Sequence, residues 1–176
     1  SSWKFWSGAR ADSWSWASPP STYSSTTWRA GIDWGVSTFA TVATAHGGVA
    51  QIQNPRLLRS AEEALAQAQQ VLARKAKGLR NRNRARRKVA RLHRKVRNQR
   101  LDFLHKVTAH LVCHFGFLAT EELAVANLTK SARGTEEASG TNVRQKAGLN
   151  KSILDTARGL FLSMLRYKAE EAGAEL

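Results

Sequence analysis

Two acidic residues lie in apolar segments that have the composition of β-strands. Asp33 lies in the sequence Gly-Ile-Asp-Trp-Gly at residues 31–35, and Glu121 ends an apolar run at residues 117–120. A buried carboxylate is costly unless a cation lies beside it. Two carboxylates on neighbouring strands can hold a metal pair about 4 Å apart, which activates water and stabilises the leaving oxygen of a phosphodiester. Either acid alone is more often a salt-bridge or capping residue, but the pair favours a catalytic metal site at Asp33 and Glu121.

Lysine and arginine dominate the segment from residue 64 to residue 101, which contains no Asp or Glu. Like charges at helical spacing repel each other, so the compensating anions must come from outside the segment, and nucleic-acid phosphates are the obvious source. No aromatic residues lie between the cations, which favours contacts with the phosphate backbone over base recognition. The alternative is a solvated charged face with no dedicated ligand. The predicted nucleic-acid-binding residues are Arg74, Lys75, Lys77, Arg80, Arg82, Arg84, Arg86, Arg87, Lys88, Arg91, Arg94, Lys95, Arg97 and Arg100.

His110 and His114 lie four residues apart beside Cys113, a spacing that could bind zinc. A structural zinc site usually needs four ligands from a compact motif, and the other three histidines are scattered along the chain. The single cysteine also excludes a disulfide within the chain and indicates a reducing compartment. We therefore expect no zinc in this chain.

A β-meander precedes the basic segment. Residues 29–35, 39–45 and 49–52 read as three strands, with a glycine turn after the first and a Gly-Gly hairpin before the third. Asn54 with Pro55 can begin the next helix, and a capping box that starts at Ser60 is the alternative.

Helical patterns follow the meander. Apolar residues at steps of three and four run over residues 58–79 and resume at residue 89, which predicts an antiparallel helical hairpin at about residues 56–114. The predicted break lies at residues 81–83, and the second helix at residues 84–114. Residues 129–148 read as a flexible linker, and Asn150 is predicted to cap a last amphipathic helix.

The composition is that of a globular protein with a polyanionic partner. The chain has 176 residues, 42% of them hydrophobic, which is enough to bury one core at residues 28–176. Its formal charge of +15 exceeds what solubility requires and indicates a polyanionic partner. Residues 1–27 are rich in Trp and Ser and read as a loop or the remnant of an upstream β domain, with a base-stacking surface as the alternative. No apolar run approaches the length of a membrane span and no secretory signal is evident, so we expect a cytoplasmic, nucleoid-associated protein of a prokaryote.

Six segments in order resemble the TnpB proteins of bacterial and archaeal insertion sequences, which are relatives of the type V CRISPR effector nucleases. The resemblance covers residues 29–176. It is carried by residues 31–36, 54–58, 75–95, 96–106, 121–123 with 127–128, and 149–152 with 167–168 and 172–173. Trp34 stands where that family more commonly has an aliphatic residue.

The resemblance implies an α/β chain with a partial RuvC-like nuclease domain of the RNase H-like fold, into which the basic helical hairpin is inserted. Asp33 is then the first metal-binding acid and Glu121 the second, with Glu122 as the alternative. The family implies a guide RNA, a target DNA next to a short motif, and Mg²⁺ as the cofactor. Its third acid and its four-cysteine zinc ribbon lie downstream, and neither is in this sequence.

Three functions compete at this stage. The chain is a fragment of an RNA-guided DNA endonuclease, an inactive nucleic-acid-binding module, or an RNA scaffold of the ribosomal-protein type. The acid pair favours the nuclease lineage. Because the third acid is missing, we expect little or no cleavage by this chain alone, and a decayed gene product, a fragment and part of a larger protein all fit.

Overall fold

The computed structural model describes residues 28–121, 128–132 and 140–176, which form two compact units. The first unit contains the chain up to Pro55 and from His105 onward, and the second contains Arg56–Leu104. Among the described residues, no helix combines the length and the apolar character that a membrane crossing requires. The Trp/Ser-rich segment 1–27, Glu122 and residues 133–139 of the predicted linker lie outside the described residues. Residues 143–148, which were also predicted to be part of the flexible linker, are helical instead.

The predicted meander is confirmed in the first unit. Strands β1 (Arg29–Trp34), β2 (Thr38–Thr44) and β3 (Val49–Gln53) pair antiparallel in sequence order. Gly35 makes the β1–β2 turn possible, because a Cβ atom at this position would lie 2.6 Å from the Thr38 carbonyl oxygen. Gly47 adopts a φ of 82° in the β2–β3 hairpin, where β-branched residues are strongly disfavoured.

Strand β4 (Phe117–Thr120) completes a four-stranded mixed sheet with the order β3-β2-β1-β4. It pairs parallel with β1, and the last pair of this ladder joins Ile32 to Thr120. The chain end returns to the outer edge of β4, where the Leu118 amide donates to the Glu175 carbonyl oxygen at 2.8 Å. This contact adds a short parallel bridge between Phe117 and Glu175.

Two helices, α3 (Val143–Asp155) and α4 (Arg158–Ala172), replace the single last helix predicted from the sequence. The break lies at Thr156 and Ala157, whose amides donate to carbonyl oxygens three residues back, and Ala157 has a φ of 49°. Because α3 begins at Val143, Asn150 lies inside the helix and caps nothing. Its side-chain amide instead donates to the Thr129 carbonyl oxygen at 2.8 Å.

Helix α4 packs on the sheet through aromatic rings. Phe161 is fully buried and its ring centroid lies 5.6 Å from that of Phe39 of β2 and 4.5 Å from that of Trp34 of β1. All three ring pairs are edge-to-face, the favoured arrangement of aromatic quadrupoles. The carboxyl end of β1 is therefore fixed against the first turns of α4.

The second unit contains α1 (Leu57–Ala73) and most of α2 (Arg80–His114). Two long helices with a short connection were predicted, but their ends differ. Helix α1 begins at Leu57 after Arg56, without a side-chain cap, because Asn54 donates to the Val36 carbonyl oxygen instead. Residues 81–83, the predicted break, are already helical in α2, which is about 52 Å long at 1.5 Å per residue. The antiparallel arrangement stays a prediction.

Candidate acidic site and basic helix

The parallel ladder brings the two predicted acids to the same edge of the sheet. Asp33 follows Ile32 and Glu121 follows Thr120, the two residues that form the last pair of the β1–β4 ladder. Neighbouring strands lie about 4.8 Å apart, so the two backbones are within reach of one shared ion. The sequence prediction that these acids converge at adjoining strand ends agrees with this register.

Asp33 is exposed, which corrects the expectation of a buried carboxylate. Alternation along β1 places Ala30 and Ile32 on the buried face and Asp33 on the opposite face, where water lowers the cost of the charge. Glu121 is exposed as well. A strand with apolar neighbours on both sides of an acid therefore need not be buried on both faces.

Small residues lie next to the acids on the same face. Gly31 pairs with Ala119, and each lies two residues before one of the acids, Asp33 and Glu121, on the same face of the sheet. A Cβ atom added to Gly31 would meet nothing within 4 Å. The face of the sheet beside the acids therefore has space for at least a methyl-sized group at Gly31.

A buried arginine lies at this edge and was not singled out from the sequence. Arg158, the first residue of α4, is only 6% exposed. Its Nη2 donates to the backbone carbonyl oxygen of Glu121 at 2.7 Å. Burial lowers the pKa of Arg158, and the nearby carboxylates of Glu121 and Asp33 oppose that shift. Arginine stays protonated in proteins, so a positive charge persists next to both acids.

Trp34 links the three elements that meet at the site. Its Nε1 donates to the Thr120 hydroxyl at 2.9 Å, and the Arg158 guanidinium carbon lies 5.1 Å from its ring centroid. That distance is within the range of a cation–π interaction. The end of β1 is thus bonded to the end of β4 and packed against the start of α4.

The residues fit a hard divalent cation in part. Asp33 and Glu121 supply carboxylate oxygens, the ligands that Mg²⁺ prefers, and Mg²⁺ commonly takes its remaining ligands from water and substrate phosphate. Among the described residues, no group of three or more His, Cys, Asp or Glu side chains could hold a metal ion. Two carboxylates are therefore what the described part of the chain contributes.

The basic helix presents a continuous cationic stripe. At 100° per residue, seven of the predicted binding residues fall within an arc of about 120° on α2 and extend over about 22 Å. All seven are exposed, and Ala85 and Val96 of the same helix are buried on another face. The basic stripe consists of Arg80, Arg84, Arg87, Lys88, Arg91, Arg94 and Lys95.

Two of the fourteen predicted binding residues, Arg82 and Arg100, are half-buried. Arg82 Nη1 donates to the carbonyl oxygens of Leu72 and Lys75, at 3.1 Å and 2.6 Å. These carbonyls lie at the end of α1, where a cation complements the helix dipole. Arg82 therefore has a structural role within its own unit, whatever it contributes to binding.

The His110–His114 pair forms an internal contact. The ring centroids lie 4.1 Å apart, and His114 Nδ1 donates to the His110 carbonyl oxygen at 2.8 Å. Burial, followed by the nearby His114, lowers the pKa of His110 to about 4. The contact gives the pair an explanation that requires no metal.

Arg158 could have been flagged from the sequence. It lies three residues before Phe161 and seven before Leu165, and both of these residues are fully buried. Helical spacing therefore places a cation on the apolar seam of α4, an arrangement that requires a partner. The partner itself, a backbone carbonyl 37 residues away, has no local signal in the sequence.

Comparison with known proteins decides the family. The OrfB_IS605 family, described as "Probable transposase", matches residues 17–132. The chain belongs to this family. The chain is also similar to several curated proteins. "Putative RNA-guided DNA endonuclease InsQ" of Escherichia coli K12 is 38% identical over 146 residues, which is 83% of this chain and 35% of that protein. A "Putative RNA-guided DNA endonuclease" of Streptomyces pristinaespiralis is 38% identical over 151 residues, 86% of this chain and 33% of that protein.

A Mycobacterium tuberculosis relative, "Putative RNA-guided DNA endonuclease Rv2885c", is 34% identical over 149 residues, 84% of this chain and 30% of that protein. The resemblance to insertion-sequence proteins found in the sequence is thus confirmed. The chain spans about a third of the length of the curated relatives it matches.

Proposed function

We propose that this OrfB_IS605 chain is part of an RNA-guided DNA endonuclease and carries two functional parts of it. One part is an incomplete RuvC-like nuclease site of the RNase H-like fold, with Asp33 and Glu121 as metal ligands. The other is the basic stripe of α2, which binds guide RNA or target DNA through phosphates. The observation that carries the proposal is the register of β1 and β4, which brings the two acids to one open sheet edge.

The acidic site supports hydrolysis of phosphodiesters. Asp33 and Glu121 would hold Mg²⁺ between the ends of β1 and β4, with a third acid supplied from elsewhere in the complete protein. Bound metal ions would supply Lewis-acid activation of water and neutralise charge on the phosphodiester by a two-metal mechanism. The small pair Gly31 and Ala119 lies on the same face, from which a nucleic-acid strand would approach the acids.

The basic stripe supports a polyanionic partner. Seven exposed cations on one face of α2 repel each other without a ligand, and an arginine fork matches phosphate geometry. The names of the relatives specify RNA guidance and DNA cleavage. We therefore assign RNA and DNA as partners of this chain.

Metal binding can be tested without cleavage. Mn²⁺ prefers the same oxygen ligands as Mg²⁺ and gives an electron paramagnetic resonance signal when it is free in solution. We expect the chain to bind Mn²⁺, and Glu121→Gln or Asp33→Asn to weaken the binding at least about tenfold, since each removes one of two anionic ligands. Glu170→Gln is the matched control, because Glu170 is an exposed acid on α4. Equal affinity in Glu121→Gln and Glu170→Gln would refute the metal site.

Cleavage is tested on guide-matched DNA with Mg²⁺. We compare the chain alone with a version extended to the length of its relatives, and with Asp33→Ala in that version. We expect cutting by the extended protein, loss of cutting with Asp33→Ala, and little or no cutting by this chain alone. If the extended protein never cuts, the nuclease assignment is wrong.

The second candidate is a catalytically inactive nucleic-acid-binding module. One observation favours it. Beyond the pair Asp33 and Glu121, the described residues contain no group of three or more side chains that could hold a metal ion. This candidate predicts salt-dependent RNA or DNA binding that does not change when Asp33 is replaced. The Mn²⁺ titration separates the two candidates, because a binding module has no need of a divalent site.

A further inference from the structure

We propose that Arg158 and Trp34 are positioning residues that clamp the carboxyl end of β4, so that Glu121 stays in register with Asp33. The inference rests on the proposed metal site and extends it to two residues that are not ligands. Arg158 Nη2 donates to the backbone carbonyl oxygen of Glu121, and Trp34 Nε1 donates to the side-chain hydroxyl of Thr120. Two consecutive residues of one strand end are therefore held from two different elements.

The strand end needs such support. Strand β4 has only four residues, and the last pair of its ladder with β1 joins Ile32 to Thr120. Glu121 follows that pair and has no partner in the ladder. Strand ends fray unless their groups are bonded elsewhere. The Arg158 hydrogen bond supplies such a bond to Glu121.

The chemistry of Arg158 exceeds what packing requires. Arg158 is only 6% exposed, and its buried Nε has no hydrogen-bond partner among the described residues, which is unfavourable for folding. An apolar side chain of similar volume would fill the space against Trp34 without that cost. What the guanidinium adds is a charge-assisted donor to Glu121 and a positive charge beside the two acids.

Those two contributions have opposite effects on metal affinity, which makes the proposal testable by sign. A positive charge near the site repels a divalent cation, so its removal alone would tighten binding. The hydrogen bond preorganises Glu121, so its removal would weaken binding. We infer that preorganisation dominates, because the bond is short and part-buried, whereas the two carboxylates are exposed and therefore screened by water and salt.

The first measurement is the Mn²⁺ affinity of Arg158→Gln, followed by electron paramagnetic resonance. We expect about tenfold weaker binding, at the lower end of the roughly 10–100-fold loss that follows removal of a residue that orients a metal ligand. Arg158→Lys keeps the charge and loses the planar fork, so its Mn²⁺ affinity should lie between those of the wild type and Arg158→Gln. The control is Arg166→Gln, which removes the same charge from an exposed position of the same helix and should leave the affinity unchanged. When the wild type binds Mn²⁺, tighter or unchanged binding in Arg158→Gln shows that the clamp does not position Glu121 for metal binding.

The second measurement needs no metal and separates failure of the clamp from failure of the site. Amide hydrogen exchange over residues 117–121 should speed up in Arg158→Gln and in Trp34→Phe, which keeps an aromatic ring but loses the Nε1 donor. Arg166→Gln should exchange like the wild type. If the wild type binds no Mn²⁺ while exchange still responds, the metal site is wrong and the structural clamp stands. If neither Arg158→Gln nor Trp34→Phe changes exchange, the clamp is wrong, whatever the metal result.

Discussion

Replacing Arg87 and Arg91 by alanine tests whether the basic stripe binds phosphates. Both side chains are exposed on the stripe of α2, one helical turn apart, so the double substitution removes two adjacent cations without opening a cavity. Alanine is the best helix former, so the helix itself should persist. The substitution therefore changes the charge of the stripe and little else.

The magnitude follows from counterion release. If each of the seven cations neutralises one phosphate, the logarithm of the binding constant falls with the logarithm of the salt concentration at a slope of about −5 to −6. The double substitution leaves five cations and a slope of about −3.5 to −4.5. At low salt, where the electrostatic contribution is largest, the variant should also bind more weakly.

The assay is fluorescence anisotropy with a labelled single-stranded RNA and a duplex DNA, each titrated at several salt concentrations from about 50 to about 200 mM. Arg86→Ala with Arg97→Ala is the matched comparison, because both residues are exposed on α2 and were predicted from the sequence to bind, but lie outside the stripe. The stripe hypothesis predicts a flatter salt dependence for the Arg87→Ala, Arg91→Ala variant only. Equal slopes in the two double variants would show diffuse attraction, and a wild-type slope near zero would remove the polyanion argument.

Three further predictions concern stability. Burial lowers the pKa of His110 to about 4, so the unfolded chain binds this proton more readily than the folded one. The contribution of His110 to stability is therefore complete above pH 6.5 and is lost as the pH falls toward 4. Because the ring is partly exposed, we expect the free energy of unfolding to decrease by about 1–2 kcal/mol over this range. Urea unfolding of His110→Gln against pH should lack this slope, while the exposed His93→Gln keeps it; the same slope in both variants would contradict the assignment. Phe161→Ala should cost about 3–5 kcal/mol of unfolding free energy, since it removes the fully buried ring between Phe39 and Trp34, whereas truncation of the exposed Leu160 should cost far less. Gly35→Ala should lower the thermal midpoint, because its Cβ meets the Thr38 carbonyl oxygen, and Gly31→Ala, which has open space, is the control; equal midpoints would show that the turn can relax.

Local pattern alone predicted much of this chain. The alternation of residues and the glycine positions indicated the β1–β3 meander, and the apolar run before Glu121 indicated β4. The steps of three and four indicated α1 and α2, and the absence of acids indicated the basic helix. Six ordered segments indicated the family that the comparisons confirmed. The strands and helices depend on neighbours a few residues away, and the family depends on the order of its segments; a sequence displays both directly.

Only the tertiary structure decided how the acidic site is built. The parallel pairing that aligns Asp33 with Glu121 joins segments 88 residues apart, and its register depends on which apolar residues pack under the sheet. The exposure of Asp33 depends on what covers each face of β1, and the sequence does not encode that locally. The burial of Arg158 follows from the packing of α4 against Trp34 and from a bond to a distant backbone carbonyl. Non-local contacts of this kind are set by the complete fold, because many arrangements satisfy the same local pattern.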